Sequence, residues 1–451
     1  MPSTYLQKVP SSVGSTTTGT FSFWAKIAGK TTQAIYTVND GSAQFDIYIR
    51  NGSGQLDFYA YNGSSYTFRL HTNRLLRDHS AWYHIVCKID LTNSTQSDRA
   101  ILYINGVRET AFAVETYPSD ASQTAIFSKN STTTIGAAHS GSNDFDGCLS
   151  HFHFCDGYAY DASTFGSTDA TTGEWKINTN PNVQYGTNGF FLFKDNASTT
   201  DQSGQGNNWS VTAGTLTKTE DNPSNNFATL NPVSFHEANF ALSNGATVMA
   251  TGNNTAWNNA ICSTLVATGG KFYWEAKWTD GDSYSVIGII KAEDIHRCAT
   301  SLSGSGTDIY MHANAIQTDN GGGSPQKYSF VSSDGNISIS APPGCIMQFA
   351  LDCENRKFWF GVNGTYYNSG NPATGANPTW DTTDIPADGE FVPYAQGYKI
   401  SGATAFQFNF GNGFFGSTAI SSEGTNASNL GKFEYDVPSG FTALCTKGLN
   451  E

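Results

Sequence analysis

The sequence predicts an all-β protein with two jelly-roll or β-sandwich domains joined by a polar connector. Three observations lead to this prediction. Apolar and polar residues alternate with a period of two in many short segments, as in strands with one buried face. The chain has 46 glycines, 30 phenylalanines and 21 tyrosines but only 14% charged residues, which favours short strands separated by turns. Its 451 residues exceed one ordinary domain and suit two.

The first predicted domain, residues 1–195, is a series of such strands. Alternation is clear at residues 21–27 (FSFWAKI), 45–49 (FDIYI) and 56–61 (LDFYAY). The pair Asn105-Gly106 lies between two apolar segments, which is the strongest short-range signal for a β-hairpin. Turns that recur about every 8–12 residues are typical of a sandwich. No segment favours a helix longer than one or two turns.

The predicted connector, residues 196–235, is rich in Ser, Thr, Asn, Gly and Pro. It also contains Trp209, so we expect it to pack along a neighbour instead of swinging free. The second predicted domain, residues 236–451, repeats the strand pattern at residues 271–278 (KFYWEAKW). It also repeats the hairpin signal at Asn363-Gly364, although the two halves share no sequence repeat.

Charge and composition exclude several classes of partner. The formal net charge is −14 and no Lys/Arg-rich segment offsets it, so we expect neither nucleic acid nor an anionic membrane as a partner. No run of ~18 apolar residues could span a bilayer. Residues 1–20 lack the apolar core of a signal peptide, so we expect folding in a reducing cytoplasm. The eight cysteines are therefore interpreted mostly as small buried thiols: Cys87, Cys148, Cys155, Cys262, Cys298, Cys345, Cys353 and Cys445.

Two resemblances refine the fold. The first domain resembles the laminin G-like branch of the concanavalin A-like lectin fold in the order and spacing of four segments: residues 21–24 (FSFW), 82–86 (WYHIV), 102–106 (LYING) and 145–149 (FDGCL). The region from about residue 236 to 446 resembles a SPRY domain. Its matching segments are residues 272–275 (FYWE), the hairpin 351–360, 362–364 (VNG) with 370–373 (GNPA), and 433–441 (FEYDVPSGF).

The combination of segments points to a narrower class of proteins than either half of the chain does alone. Two sandwiches separated by residues 201–209 (DQSGQGNNW) and 225–232 (NNFATLNP) resemble structural proteins of marine tailed phages, of the cyanophage type. The resemblance implies a virion component, either a tail fibre, a spike, or a knob or decoration on the capsid, which folds in the host cytoplasm. One departure is that residues 1–20 contain no recognisable N-terminal adaptor of the kind that phage fibres often carry.

The leading hypothesis is a non-enzymatic protein of the virion surface whose exposed rims attach to a host-surface glycan or protein. The implied partners are other virion proteins of the tail or capsid and further copies of the chain, with a trimer as the first guess by analogy with phage fibres. Two alternatives stay open. One is a polysaccharide depolymerase, a glycoside hydrolase on the same fold. The other is a cellular lectin or adhesion module, against which the absence of a signal peptide argues.

Two tyrosine clusters are candidates for ligand binding. Tyr59, Tyr61 and Tyr66 surround a polar turn, and Tyr366 and Tyr367 follow the second Asn-Gly pair. Aromatic faces beside polar turns can stack on sugar rings. Ordinary cross-strand packing or a subunit contact is the alternative, and we favour it for each cluster.

Asp144 and Asp146 are candidate calcium ligands, since laminin G-like domains often hold Ca²⁺ at a loop rim. A plain turn before Gly147 is the alternative that we favour, so we expect no cofactor and leave calcium open. His151 and His153 alternate along a strand and thus share a face, but packed or hydrogen-bonded histidines are favoured over a metal site that would include His84.

No catalytic residue is predicted. A retaining glycosidase would place acids at alternate positions of a central apolar strand, followed at once by a third acid. Five pairs have the alternate spacing but none fits the rest of the pattern: Asp144/Asp146, Asp280/Asp282, Asp352/Glu354, Asp388/Glu390 and Glu434/Asp436.

Overall fold

The computed structural model describes residues 4–29, 31–50, 54–119, 124–195, 197–234, 240–251, 259–279, 283–298, 313–318, 325–329, 332–387, 389–399 and 404–450. Over these ranges the protein is all-β, as predicted, and its one α-helix, α1, is the single turn Ile295–Cys298. Short 3-10 helices lie at Gln96–Asp98, Ala162–Thr164, Ala292–Asp294, Tyr367–Ser369 and Gly448–Asn450.

Among the described helices, none has the length and apolar character needed to cross a membrane.

The chain forms two compact units, Met1–Lys218 and Thr219–Glu451. The first contains strands β1 (Tyr5–Lys8), β2 (Thr18–Ile27), β3 (Gln33–Asn39), β4 (Gln44–Arg50), β5 (Gln55–Tyr61), β6 (Tyr66–Leu75), β7 (Trp82–Asp90), β8 (Ala100–Ile104), β9 (Val107–Arg108), β10 (Phe112–Thr116), β11 (Thr133–Ile135), β12 (Gly147–Asp156), β13 (Gly166–Thr168), β14 (Trp175–Ile177), β15 (Phe190–Leu192) and β16 (Ser210–Ala213).

The strands of the first unit form a sandwich. One sheet has eight strands in the order β10-β6-β5-β4-β3-β11-β1-β16, and the other has six in the order β15-β12-β2-β7-β8-β9. A separate ribbon joins β13 to β14. The core between the sheets is aromatic: the Phe21 ring lies 4.4 Å from Phe154 in its own sheet and 5.2 Å from Phe45 in the facing sheet. Burial of such rings supplies most of the stability of a sandwich core.

The second unit contains β17 (Phe240–Ser243), β18 (Val248–Thr251), β19 (Asn259–Cys262), β20 (Lys271–Trp278), β21 (Ser283–Lys291), β22 (Ala313–Thr318), β23 (Gln326–Ser329), β24 (Ser332–Asn336), β25 (Ile346–Asp352), β26 (Lys357–Val362), β27 (Thr365–Tyr366), β28 (Phe391–Lys399), β29 (Thr404–Asn409), β30 (Phe414–Phe415), β31 (Thr418–Ala419) and β32 (Thr442–Ala443). One sheet runs β17-β18-β29-β20-β25-β26-β27, with β32 parallel to β20, and the other runs β19-β28-β21-β22-β23-β24.

The segment expected to connect the domains is divided between the two units. The boundary after Lys218 falls inside residues 196–235. On its first side, β16 pairs with β1 and Trp209 is buried against Phe190 at 5.0 Å. On its other side, Leu230 is fully buried in the second core. Each half of the segment is therefore packed within its own unit.

Both predicted Asn-Gly hairpins are confirmed, and they are built in the same way. The Asn105 side chain accepts a hydrogen bond of 2.8 Å from the backbone N–H of His84, and Asn363 accepts one of 2.9 Å from Ile346. Asn105 and Asn363 have φ values of 48° and 47°, which asparagine tolerates better than most residues. Each asparagine therefore makes the tight turn and also ties it to the neighbouring strand.

The described cysteines fit the buried-thiol interpretation. Cys87, Cys155, Cys262, Cys345 and Cys445 are buried, whereas Cys148 and Cys353 are partly exposed. Burial raises the pKa of Cys87 and Cys155 well above the ordinary range, which keeps them protonated and poorly nucleophilic. The side chain of Cys298 lies outside the described residues.

Candidate functional site

Polar and aromatic side chains are concentrated on the outer face of β4, β5 and β6. Strand alternation explains this placement, because the phenylalanines of these strands, Phe45, Phe58 and Phe68, all point into the core. The intervening residues of β4 and β5 must then face outward. They are Asp46, Tyr48 and Arg50 on β4 and Asp57, Tyr59 and Tyr61 on β5.

The strand register brings these outward residues into contact. Asp46 lies opposite Tyr59, which in turn lies opposite Arg69 on β6. One step along, Tyr48 lies opposite Asp57. Because neighbouring strands are about 4.7–4.9 Å apart, such partners are within reach of direct side-chain contact.

Asp57 is the electrostatic centre of the group. Its side chain has 0% exposure, and its Oδ2 accepts from Arg50 Nε at 2.7 Å and from Arg69 Nη2 at 2.8 Å. Its Oδ1 accepts from Arg69 Nε at 3.0 Å, so the contact with Arg69 is bidentate. Two guanidinium partners offset the cost of burying this carboxylate, and the side chain is shielded from solvent.

Asp46 lies beside Asp57 but in a different environment. Asp46 is 5% exposed, and its Oδ2 accepts a hydrogen bond of 2.5 Å from the Tyr59 hydroxyl. Burial raises the pKa of Asp46 to about 7, although Tyr59 and Arg50 act in the opposite direction. The negative charge of Asp57 raises that pKa further. The two neighbouring acids therefore have different hydrogen-bond partners, a tyrosine hydroxyl for Asp46 and two guanidinium groups for Asp57.

An aromatic and guanidinium layer covers the two acids. The Arg50 guanidinium lies 4.5 Å from the centre of the Tyr48 ring, and that of Arg69 lies 5.0 Å from the Tyr66 ring. Tyr66 also contacts both Tyr59 and Tyr61 at 5.5 Å and is 41% exposed. We call this surface the tyrosine–arginine face; its members are Tyr48, Tyr59, Tyr61, Tyr66, Arg50 and Arg69, with Asp46 and Asp57 beneath them.

The sequence predicted part of this face. It placed Tyr59, Tyr61 and Tyr66 in one cluster, and the structure brings the three rings together. It missed Asp46 and Asp57, because acids were sought at alternate positions of one strand and these two lie on neighbouring strands. A signal was present: each is a lone acid inside an alternating apolar strand, FDIYIR and LDFYAY. Whether the tyrosines bind a ligand stays a prediction.

The second tyrosine pair does not form one surface. Tyr366 ends β27 and packs against a cluster that contains Tyr273 and Trp359. Tyr367 begins a 3-10 turn and packs against the main core of the second unit. Both rings are partly buried, and they contact separate clusters, so they do not present a common stacking platform.

Asp144 and Asp146 lie in the irregular segment just before β12. The carbonyl of Asp146 accepts from the backbone N–H groups of Ala28 and Gly29 at 2.9 and 3.1 Å. Its own N–H donates to Gln33 Oε1 at 2.8 Å. Within the described part of the chain, no group of three His, Cys, Asp or Glu residues is arranged to hold a metal. Calcium at these two acids stays a prediction.

His84 is enclosed on the outer face of the six-stranded sheet. Trp175 Nε1 donates to His84 Nδ1 at 2.9 Å, and His84 Nε2 lies 2.9 Å from Ser22 Oγ. Since an indole N–H can only donate, Nδ1 accepts and the neutral ring carries its proton on Nε2. Burial lowers the pKa of His84 to about 3. His84 is therefore a structural hydrogen-bond partner of Ser22 and not a base that would activate it.

His151 and His153 are also engaged by protein groups. His151 Nδ1 lies 2.8 Å from Ser150 Oγ, and His153 Nδ1 lies 2.9 Å from the Tyr185 hydroxyl. Burial lowers the pKa of both rings. This is the packed and hydrogen-bonded arrangement that the sequence favoured.

Of the remaining acid pairs, the members that the structure describes stabilise loops through hydrogen bonds and ion pairs. Asp352 accepts from Lys271 Nζ and from the backbone N–H of Asn355, both at 3.0 Å. Glu434 accepts from the backbone N–H of Ser421 at 2.6 Å, and Asp436 accepts from that of Thr425 at 2.7 Å. These hydrogen bonds and this ion pair give the three carboxylates structural partners. The pair Asp280/Asp282 and residue Asp388 lie outside the described residues.

Comparison with known proteins supports the fold of the first unit. Residues 3–158 match the family model Laminin_G_3, of the concanavalin A-like lectin/glucanases superfamily. This stretch runs through β12 and includes the whole tyrosine–arginine face. Over residues 3–158, the first unit is therefore similar to a laminin G-like, concanavalin A-like β-sandwich. The superfamily name covers both lectins and glucanases.

Similar solved structures include two SPRY domains and a pentraxin. The PSpry domain of TRIM65 is 14% identical, with a TM-score of 0.29, over 40% of this chain and 88% of that one. The SPRY domain of human HERC1 is 14% identical, with a TM-score of 0.25, over 38% and 91%. The native heptameric SAP-like pentraxin from Limulus polyphemus is 16% identical, with a TM-score of 0.29, over 42% and 84%. No curated protein matches the chain.

Proposed function

We propose that this chain is a non-enzymatic attachment protein on the surface of a tailed phage particle, and that its tyrosine–arginine face binds a host-surface glycan. The observation that carries the binding role is the exposed Tyr66 ring, which lies beside Tyr61 and the Arg69 guanidinium. Aromatic rings stack on the apolar faces of sugars, and guanidinium groups donate hydrogen bonds to sugar oxygens.

The virion location is supported by the order of segments along the chain. Residues 201–209 and 225–232, on either side of the boundary between the two units, resemble those of marine phage structural proteins. Tail fibre, spike and capsid decoration all fit this resemblance. We further propose that the chain acts as a homo-oligomer, with a trimer as the first expectation, because repeated weak sites gain avidity on a multivalent surface.

The absence of catalysis is proposed from the chemistry of Asp57. A glycosidase needs one carboxylate that acts as nucleophile or base and a second that acts as acid. Asp57 is fully buried and receives three hydrogen bonds from Arg50 and Arg69. These contacts occupy its oxygens and stabilise its charge, which removes the nucleophilicity that the reaction requires.

Immunogold electron microscopy of intact particles tests the virion role. Antibody against this chain is expected to label the particle, at the tail tip if the protein binds the receptor or over the head if it decorates the capsid. Particles that carry no label at any position would overturn the virion assignment. Analytical ultracentrifugation of the purified chain tests the trimer.

A polysaccharide depolymerase is the second candidate, and Asp46 favours it. Burial raises the pKa of Asp46 to about 7, which suits a general acid, and the second carboxyl group beside it is that of Asp57. The register makes them diagonal neighbours, roughly 7–8 Å apart, which lies in the range of an inverting pair. Release of reducing ends from host polysaccharide that Asp46→Asn abolishes would establish this candidate.

A further inference from the structure

Two arginines lie side by side on one outer face of a chain whose net charge is −14. Arg50 on β4 and Arg69 on β6 approach the same carboxylate, Asp57, from the two strands that flank β5. Two guanidinium groups paired with the Asp57 carboxylate leave a positive charge on this face when Asp46 is protonated. Like charges this close are unfavourable without a second anion, and Asp46 supplies one only above its raised pKa of about 7, so the arrangement is electrostatically incomplete at lower pH.

Both guanidinium groups keep hydrogen-bond donors for a ligand. Asp57 engages only Nε of Arg50, whose guanidinium also bonds the Tyr59 side chain, and it engages Nε and Nη2 of Arg69. A guanidinium has five N–H donors in a rigid fork, so neither is used up by this contact. The two side chains are 29% and 21% exposed, so the remaining donors are open to solvent on at least part of each group.

We propose that the tyrosine–arginine face takes an acidic group, a carboxylate or sulfate, of a polyanionic glycan, with Arg50 and Arg69 as the binding donors. Asp57 is the positioning residue, because its buried carboxylate holds the guanidinium groups of both arginines in place. Tyr66 lies beside Arg69 and contacts Tyr61, and these two rings supply the apolar surface for the sugar ring. This inference rests on the proposed glycan attachment and narrows it to one class of glycan.

The arginines are held in place before any ligand arrives. Arg69 contacts Asp57 bidentately and also lies 5.0 Å from the Tyr66 ring, and Arg50 lies 4.5 Å from the Tyr48 ring. Restraint from two sides reduces the side-chain entropy that binding would otherwise cost. Bidentate contact between a fixed fork and a planar carboxylate, or two oxygens of a sulfate, is the strong form of charge-assisted hydrogen bond.

Asp46 is the one acid of the face that could oppose an anion. The charged and titratable groups around it are Tyr48 and Arg50 on its own strand and Asp57 and Tyr59 on β5. Because burial raises its pKa to about 7, Asp46 is largely protonated in mildly acidic solution and adds little repulsion there. Affinity for the acidic glycan is therefore expected to fall as pH rises from 6 to 8.

Matched polymer pairs test the proposal with the full chain. The probes are polygalacturonate against its carboxyl-reduced form, and dextran sulfate against dextran, with affinity measured by calorimetry or biolayer interferometry. We expect at least one charged polymer to bind about tenfold or more tightly than its neutral counterpart. Equal binding of charged and neutral forms overturns this inference but leaves glycan attachment in place. If the chain binds none of the four polymers and also fails to bind host cells, both the inference and the proposed glycan attachment are overturned.

Variants assign the binding to the arginines. Arg50→Gln removes one fork while Asp57 keeps its bidentate partner Arg69, so the fold is expected to survive. The affinity for the charged polymer is expected to fall about fivefold or more. Arg108→Gln is the matched control, since Arg108 is a partly exposed arginine in the same unit that pairs with Asp98 at 2.7 Å, away from this face. Equal losses in the two variants would contradict the assignment.

A conservative variant keeps the test decisive if Arg50→Gln does not fold. Arg50→Lys retains the positive charge beside Asp57 but replaces the planar fork with a point charge. Loss of affinity in Arg50→Lys, with an unchanged unfolding temperature, supports a ligand bound by the fork. Wild-type affinity in this variant contradicts it.

Discussion

The hydroxyl of Tyr59 donates to Asp46 over 2.5 Å, across the β4–β5 pair and beneath the exposed side of the tyrosine–arginine face. Asp46 therefore has a neutral donor as its close partner, whereas its neighbour Asp57 has two arginines. The same strands thus hold one acid whose pKa is raised by burial and one that is paired with two guanidinium groups. This difference gives the face a measurable pH dependence.

Stability of the first unit should depend on the ionisation of Asp46. Its pKa is about 7 in the folded chain against an ordinary value of 3.8, so the unfolded chain releases this proton first as pH rises. The free energy of unfolding should consequently fall between about pH 4 and pH 7, and then level off. Asp46→Asn removes this contribution. We expect the free energy of unfolding of Asp46→Asn, relative to that of wild type, to rise by about 2–4 kcal/mol between pH 4 and pH 8. Urea unfolding at a series of pH values measures this difference.

An exposed acid of the same unit provides the control. Asp195→Asn removes the same formal charge from the surface, and its stability relative to wild type should change little over this pH range. A pH-independent difference between Asp46→Asn and wild type would contradict the assignment of a raised pKa to Asp46.

Gly106 should be intolerant of a side chain because of Trp175. Gly106 has a φ of 78°, and a Cβ there would overlap the Trp175 ring. Gly41 has a φ of 98° but has open space around it, so Gly41→Ala shares the backbone strain without the overlap. We expect Gly41→Ala to cost about 1 kcal/mol and Gly106→Ala about 3 kcal/mol or more in thermal or urea unfolding.

The same substitution should also release His84. If Trp175 is displaced, its hydrogen bond to His84 Nδ1 is lost and water reaches the ring. The pKa of His84, now lowered to about 3 by burial, should rise toward the ordinary value of 6.5 in Gly106→Ala. An NMR titration of the imidazole protons measures this. An unchanged His84 titration in a destabilised Gly106→Ala chain would show that Trp175 stays in place.

The hairpin asparagines should contribute through their side-chain oxygens. Asn105→Ala and Asn363→Ala each remove an acceptor of a backbone N–H and place alanine at positive φ. We expect a loss of about 1–2 kcal/mol for each substitution. Asn105→Asp and Asn363→Asp keep an acceptor oxygen and should lose less. Equal losses for alanine and aspartate would assign the effect to backbone conformation alone.

Glu275 should anchor the segment that begins near Phe433 to β20. Its two oxygens accept from the backbone N–H groups of Tyr435 at 2.9 Å and Glu434 at 3.0 Å. Tyr273 and Asn409 donate the remaining bonds at 2.9 and 3.2 Å. In Glu275→Gln an amide NH₂ would face these donors, so we expect a loss of about 2–4 kcal/mol.

Hydrogen exchange localises that effect. The amides of Glu434 and Tyr435 should exchange faster in Glu275→Gln, while Glu354→Gln, which alters an exposed acid of the same unit, should leave them protected. Unchanged protection of both amides in Glu275→Gln would contradict the anchoring role.

Local sequence signals predicted the parts of the fold that are set locally. Alternation placed the strands, and the two Asn-Gly pairs placed hairpins, because turn conformation depends on residues next to each other. The cluster of Tyr59, Tyr61 and Tyr66 was also foreseeable, since a hairpin brings its two arms together. These features require no knowledge of distant partners.

The features that escaped prediction depend on contacts between distant segments. The pairing of β16 with β1 joins residues more than 200 positions apart, so composition alone made that segment look like a connector. The clamp of Asp57 by Arg50 and Arg69 depends on the register of three strands, which the sequence pattern does not fix to within one residue. Separation of Tyr366 from Tyr367 follows from the 3-10 turn that starts between them.

One experiment tests directly whether the protein binds glycan without cleaving it. The purified chain is incubated with polygalacturonate and with dextran sulfate, and both retained polymer and new reducing ends are measured over hours. The account predicts retention that falls in Arg50→Gln, with no reducing ends above a protein-free control. Steady release of reducing ends by the wild-type chain, abolished in Asp46→Asn, would contradict it.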